Sequence, residues 1–129
     1  ILPILEVDFN GFPEELGRVL GQKAKSVFDD SSNYKCPAKL DEALKRRIEE
    51  HALMSFKVLN CLDWARMDFR LDTNGELYFL EVNTLPGIDY DVERDELSFY
   101  PMMWYGLGKK YPDMIREVIM AAAKRYGLI

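Results

Sequence analysis

Polar and apolar residues alternate strictly between Trp64 and Leu71. Ala65, Met67, Phe69 and Leu71 fall on one side of an extended chain; Arg66, Asp68 and Arg70 fall on the other. The pattern predicts a strand. Asp72-Thr73-Asn74-Gly75 follows, and Asn-Gly between two such runs is a strong hairpin signal. Glu76 to Asn83 is then the returning strand, ended by Leu85-Pro86-Gly87. A helical period runs through Leu40, Leu44, Ile48, Ala52, Phe56 and Leu59, with Lys45, Arg46, Glu49 and Glu50 opposite. Asp41 and Glu42 sit where the positive end of that helix favours acids. Pro112 opens a last helix with Ile115, Val118, Ile119, Ala122 and Tyr126 on one face and Gly127 as its stop. Ile1 to Phe9 reads as a strand with Pro3 near its start, and Asn10-Gly11-Phe12-Pro13 as a turn. Glu14 to Tyr34 has no clean period and is expected to be a loop with short structured pieces. Ile88 to Leu97 is expected as an acidic loop, and Pro101 to Leu107 as a short helix.

With Asn74-Gly75 as a two-residue turn, Thr73 faces Glu76, Asp68 faces Glu81 and Arg66 faces Asn83. On the other side Met67 meets Val82, Phe69 meets Leu80 and Leu71 meets Tyr78. That side is wholly apolar and is expected to lie on the core, under the helices. A four-residue loop keeps both faces; a three-residue loop separates the carboxylates, because side chains change face at every residue. Two carboxylates directly opposite stand about 4.5–5.5 Å apart at Cβ and repel. Arg66 and Arg70 on the same face can offset that repulsion. So can a hard divalent cation, since Asp, Glu and the Asn carbonyl are oxygen ligands of the kind magnesium accepts. Spacing alone leaves both readings open.

The chain has 129 residues, which fits one domain. Hydrophobic residues make up 48% and charged residues 30%, a globular balance. Seventeen Lys and Arg stand against 22 Asp and Glu, and the net charge of −5 argues against nucleic acid as a partner. No apolar run approaches the roughly 20 residues of a membrane span, and no secretory signal is visible. Cys36 and Cys61 make neither a disulfide framework nor a zinc site. The single histidine, His51, is expected on the surface of the helix and excludes chemistry that needs two. The chain begins Ile1-Leu2-Pro3 without Met, so a piece of something longer is expected.

Ala65-Arg66-Met67-Asp68-Phe69, Asn74-Gly75 and Leu80-Glu81-Val82-Asn83-Thr84-Leu85-Pro86-Gly87 together resemble the catalytic hairpin of the ATP-grasp ligases, within them most the D-alanine–D-alanine ligase family. Tyr34-Lys35-Cys36-Pro37-Ala38, Leu2-Pro3, and Ala24-Lys25 with Asp29-Asp30-Ser31 resemble further segments of that family. The resemblance implies an α+β fold, a C-terminal ATP-grasp subdomain with a mainly antiparallel sheet and helices packed on one face. It implies a ligase, in which ATP phosphorylates a carboxylate and an amine then displaces phosphate. ATP and Mg²⁺ (or Mn²⁺) are the implied cofactors and small amino acids the substrates. The location is expected to be cytoplasmic, with no membrane partner, and a homodimer is a further expectation. By the same resemblance Asp68, Glu81 and Asn83 are metal ligands, with Glu81 bridging two ions. Arg66 stabilises the tetrahedral intermediate and the transferred phosphoryl group, the Gly87 N–H helps form an oxyanion hole, and Lys25 contacts phosphate.

The family usually places a Ser-Leu pair shortly after the glycine to hold the second amino acid's carboxylate. Here the loop is longer, and the nearest match is Ser98, followed by Phe99. Asp89, Asp91, Glu93, Asp95 and Glu96 make that loop acidic, which disfavours a free carboxylate unless Arg94 or Lys109 compensates. The acceptor can therefore differ from D-alanine, and a solvated insertion is the plainer reading. No Gly-rich phosphate loop is present, since Gly17 and Gly21 lack its context. The missing N-terminal and central half of the ATP clamp is expected upstream, and the fragment is expected to be inactive alone. The competing expectations are a non-catalytic nucleotide- or metal-binding module, a ligase for other amino acids, and a domain whose acidic pair is only surface decoration.

Overall fold

The computed structural model describes residues 1–21, 31–91 and 96–129, and the structural statements below concern those residues. In chain order they form β1 (Glu6–Val7), β2 (Tyr34–Lys35), α1 (Glu42–Val58), β3 (Arg66–Leu71), β4 (Leu77–Asn83), β5 (Tyr90–Asp91), β6 (Glu96–Leu97), α2 (Phe99–Gly106) and α3 (Tyr111–Arg125). Helices and antiparallel strands are mixed as expected. The strands do not form one sheet, however: β1 pairs with β2, β3 with β4 and β5 with β6, as three two-stranded sheets.

The first strand is much shorter than the apolar run suggests. An Asp8 carboxylate oxygen accepts the Asn10 N–H at 3.0 Å and turns the chain into a 3₁₀ turn at Phe9–Gly11. Asp8 also pairs with Lys35 of β2. The aperiodic stretch after it holds short 3₁₀ turns at Glu14–Leu16 and Ser31–Asn33.

Helix α1 begins as its sequence predicts. Asp41 caps it, accepting the Leu44 N–H at 2.9 Å. His51 is exposed, with Nδ1 2.7 Å from the Arg47 carbonyl oxygen. The stripe through Leu44, Ile48, Ala52 and Phe56 is half-buried, and no residue of α1 is fully buried.

The hairpin departs from the two-residue turn. Gly75 N–H donates to the Asp72 carbonyl at 3.2 Å and Asp72 N–H to the Glu76 carbonyl at 3.0 Å. Thr73, Asn74 and Gly75 therefore form a three-residue loop, a type I turn closed by Gly75 at φ +81°. Such a loop moves the register by one: Phe69 faces Phe79, Arg70 faces Tyr78 and Leu71 faces Leu77, where Phe69–Leu80 and Leu71–Tyr78 were expected. A bulge between Asp68 and Phe69 leaves Leu80 without an opposite residue and restores the expected pairs Met67–Val82, Asp68–Glu81 and Arg66–Asn83. Two one-residue irregularities cancel, and the carboxylates stay on one face.

The apolar face of this hairpin does not carry the core. Met67 and Phe69 are half-buried, and Leu71 and Phe79 are 41% and 43% exposed. The core lies between α2 and α3 instead, around Tyr100, Trp104 and Met114, with Leu2, Trp64, Tyr111, Ile115 and Val118 packed against it. The α3 stripe is correspondingly rotated from expectation: Met114 is fully buried, while Ile119 and Tyr126 are exposed. Pro112 sits in the first turn of α3, and Gly127 at φ +68° follows its last turn, as expected. The short helix predicted near Pro101 is α2. The acidic loop proves to contain a small ribbon, β5 with β6, and Glu93, Arg94 and Asp95 lie outside the described residues. No helix among the described residues is long and apolar enough to cross a membrane.

Candidate active site

The polar face of the β3–β4 hairpin brings together four of the expected residues. The register sets Asp68 directly opposite Glu81 and Arg66 opposite Asn83. Arg66 grips Asp68 in a two-pronged contact, Nε to Oδ1 at 2.9 Å and Nη2 to Oδ2 at 3.1 Å. The same Nη2 lies 3.5 Å from Glu81 Oε1. Among the described residues, Arg66 is the cation that offsets the repulsion between the carboxylates. Arg70, the other cation on this face, stands over the Phe9 ring, its guanidinium carbon 5.2 Å from the centroid. The Arg66 side chain is only 13% exposed, while Glu81 is 61% exposed and can turn toward a ligand.

The donor set fits a hard cation. Asp68, Glu81 and Asn83 offer only oxygen, and each carboxylate oxygen that accepts one hydrogen bond keeps a second lone pair. Asn83 Oδ1 already accepts the Leu85 N–H at 3.1 Å, which fixes its carbonyl at the end of β4. No three of His, Cys, Asp and Glu gather among the described residues, so a cation here would rest on two carboxylates and one amide.

Beyond β4 the chain turns to Gly87 and meets the start of α2. A side chain at Gly87 would collide with Ser98, since a Cβ there would stand 2.7 Å from Ser98 Oγ. Ser98 is the cap residue of α2, yet its hydroxyl does not cap the helix. It accepts the Asp89 N–H at 3.1 Å and donates to Asp89 Oδ2 at 3.2 Å, while the Ser98 N–H donates to the Asp89 carbonyl at 3.0 Å. Tyr111 pins the same loop, donating its hydroxyl to the Ile88 carbonyl at 3.0 Å.

Phe99 joins the two halves of the site. Its ring lies under Arg66, whose guanidinium carbon is 5.4 Å from the centroid, and Tyr34 meets it edge-on at 4.7 Å. Sequence reasoning named Phe99 only as the companion of Ser98 and Asp89 only as one acid among five. The signal in both cases was a loop contact, which periodicity does not encode. Lys25 and its neighbours Ala24, Asp29 and Asp30 lie outside the described residues. Of the compensating cations considered, Arg94 also lies outside them. Lys109 stands over Trp104, 5.1 Å from the ring centroid, and 3.9 Å from Glu117.

Residues 16–120 match the family model described as D-ala D-ala ligase C-terminus. A D-alanine–D-alanine ligase of Shouchella clausii is 38% identical over 103 residues, which cover 80% of this chain and 26% of that protein. One from Acetivibrio thermocellus is 37% identical over 105 residues, 81% of this chain and 26% of that protein. D-alanine–D-alanine ligase B of Chromobacterium violaceum is 39% identical over 92 residues, 71% of this chain and 28% of that protein. The chain thus spans about a quarter of the length of these relatives. The hairpin with Asp68 and Glu81 and the junction of Gly87 with Ser98 both fall inside the matched span, and the chain belongs to the D-alanine–D-alanine ligase C-terminal family.

Proposed function

We propose that these residues form the metal- and phosphate-binding portion of a longer ATP-dependent ligase, which joins a carboxylate to an amine through an acyl phosphate. The observation that carries the reading is the opposition of Asp68 and Glu81 with Arg66 gripping the first and reaching the second. It is supported by the names of relatives that share this segment at 37–38% identity. In this reading Asp68, Glu81 and Asn83 hold Mg²⁺ or Mn²⁺. The bound ion would neutralise the charge that grows on the phosphoryl oxygens during transfer. Arg66 is held nearly buried between Asp68 and Phe99, so its charge is already oriented and costs little reorganisation when anionic oxygens form beside it. Gly87, where a side chain would collide with Ser98, would offer its N–H to a developing oxyanion. Lys25 would add a phosphate contact, and the remaining part of the ATP clamp would be supplied by the rest of the protein.

The test is ATP-dependent, amine-dependent ADP release by the full-length protein carrying these residues. Asp68→Asn and Glu81→Gln are expected to lower the rate at least about a hundredfold while circular dichroism is unchanged, the scale of losing one preorganised charge contact in the transition state. Unchanged turnover in both variants would refute the assignment. The rival reading, a binding module without turnover, expects nucleotide or metal binding by the unaltered protein and no ADP release with any amine.

A further inference from the structure

Two asparagines of the chain are followed by glycine, at Asn10-Gly11 and Asn74-Gly75. In such a pair the backbone nitrogen of the glycine can attack the side-chain amide of the asparagine before it, because no Cβ hinders the approach. The attack requires the peptide plane that joins them to turn toward the asparagine Cγ. The two pairs differ in whether their surroundings let it turn. Asn10 is exposed, but it sits in the 3₁₀ turn Phe9–Gly11, which is closed by the Phe12 N–H on the Phe9 carbonyl at 3.1 Å. Gly11 is packed so closely on Asn33 that a Cβ there would stand 2.1 Å from Asn33 Oδ1, and Asn33 is itself buried. Turning that plane drives the backbone into a side chain with little room to withdraw.

Asn74 is exposed at the tip of the hairpin loop. Among the described residues, nothing but its chain neighbours lies within 4 Å of where a Cβ would stand on Gly75. The Gly75 N–H bond to the Asp72 carbonyl, at 3.2 Å, is at the long end of the normal range. The Asn74 side-chain nitrogen reaches Asp72 Oδ2 only at 3.4 Å, a weak contact. The dipeptides are the same; the open surroundings belong to the second.

We propose that Asn74 is a site of spontaneous deamidation, and that its conversion loosens the hairpin loop. The Gly75 nitrogen gives its proton to hydroxide and forms a bond to Asn74 Cγ. The Cγ–Nδ2 bond breaks, and the nitrogen leaves as ammonia with a proton from water. Water then opens the cyclic imide at either carbonyl, giving aspartate, or isoaspartate with the main chain routed through the side-chain carbon. In the aspartate product an oxygen takes the place of Nδ2 beside Asp72 Oδ2, so two carboxylates meet where a donor met an acceptor. In the isoaspartate product the main chain of the loop is one carbon longer. Either change weakens the grip of the Asp72 carboxylate on the N–H groups of residue 74 and Glu76, both held at 2.8 Å. The loop they close is the one whose length enters the pairing of β3 with β4.

The experiment ages the full-length protein at mildly alkaline pH, where the glycine nitrogen loses its proton more readily. Peptide mass spectrometry follows the exchange of NH₂ for OH at both asparagines. Asn74 is expected to convert at least about tenfold faster than Asn10, a barrier difference of about 1.4 kcal/mol. In parallel, amide hydrogen exchange is read at Glu76 in fresh protein. Asn74→Asp supplies the product's charge without ageing and is expected to speed that exchange about fivefold, the scale of like charges about 4 Å apart in water. Asn74→Ser brings no charge and is expected to speed it less. Equal conversion at the two asparagines, or faster conversion at Asn10, overturns the inference. So does exchange at Glu76 that Asn74→Asp leaves unmoved, or that Asn74→Ser speeds as much.

Discussion

At the scale of single residues, the chemistry of the hairpin follows from period two. Period two puts Arg66 with Asp68 on one face of β3 and Glu81 with Asn83 on one face of β4. That the two pairs look the same way is a matter of register, which the three-residue loop shifts and the bulge after Asp68 restores. Asp89 and Phe99 could not be read this way, because their partners Ser98 and Arg66 are brought to them by loops and a helix start. The turn hid a residue too. Asn74-Gly75 suggested two residues, yet Asp72 decides otherwise: its carboxylate accepts the N–H groups of Asn74 and Glu76, both at 2.8 Å. Those bonds hold the Asp72 carboxyl below the usual carboxylate range, the Glu76 N–H contributing most. Gly75 supplies the left-handed conformation that this turn needs, at φ +81° with open space around it. Gly75→Ala is therefore expected to cost about 1 kcal/mol through backbone strain alone. The urea midpoint of the variant checks it, and an unchanged midpoint would contradict the turn assignment.

At the scale of elements, helices were the most legible parts. Asp41, the stripe of α1, Pro112 and Gly127 are local signals, and local signals set helix ends. The strand predicted over Ile1–Phe9 was cut short by Asp8, whose side chain competes for the backbone. The face of α3 was read in part: Ile115 and Val118 pack on the core, while Ile119 and Tyr126 are exposed and Met114 is buried in their stead, since only packing against α2 decides which side of a half-apolar helix is covered. The end of α3 is tied to the segment after α1 by Arg125, whose Nε and Nη2 grip the Asp63 carboxylate, with Nη2 to Oδ2 at 2.7 Å. That bond holds the Asp63 carboxyl below its ordinary value. A lowered carboxylate contributes stability above its unfolded value, about 3.9 for Asp, and loses it as pH falls through the folded value. Asp63→Asn is thus expected to lower the melting temperature at pH 7 and to shrink the drop between about pH 5 and pH 2. An acid transition identical to that of the unaltered chain would show the pair to be silent.

At the scale of the whole molecule, stability and the candidate site sit in different places. The fully buried side chains are in α2 and α3, Met114 and Pro101 above all, whereas the hairpin keeps much of its apolar face in water. The sequence suggested the reverse, because a wholly apolar strand face reads as core and says nothing about what covers it. Met114→Ala is expected to cost about 2–5 kcal/mol, a large share of the stability of a domain this size. Thermal unfolding checks it; a shift of less than about 2 °C would mean that the pocket collapses around the loss. The same separation governs how the protein can be watched. Both tryptophans belong to the helical cluster, Trp104 within it and Trp64 stacked edge-on to Tyr100 at 5.0 Å. Intrinsic fluorescence therefore reports on α2 and α3, and an opening of the hairpin confined to β3 and β4 would pass unseen. A probe that follows Asp68 and Glu81 has to be introduced on the hairpin itself, and exposed Tyr78 offers a place for a tryptophan that leaves the paired carboxylates alone.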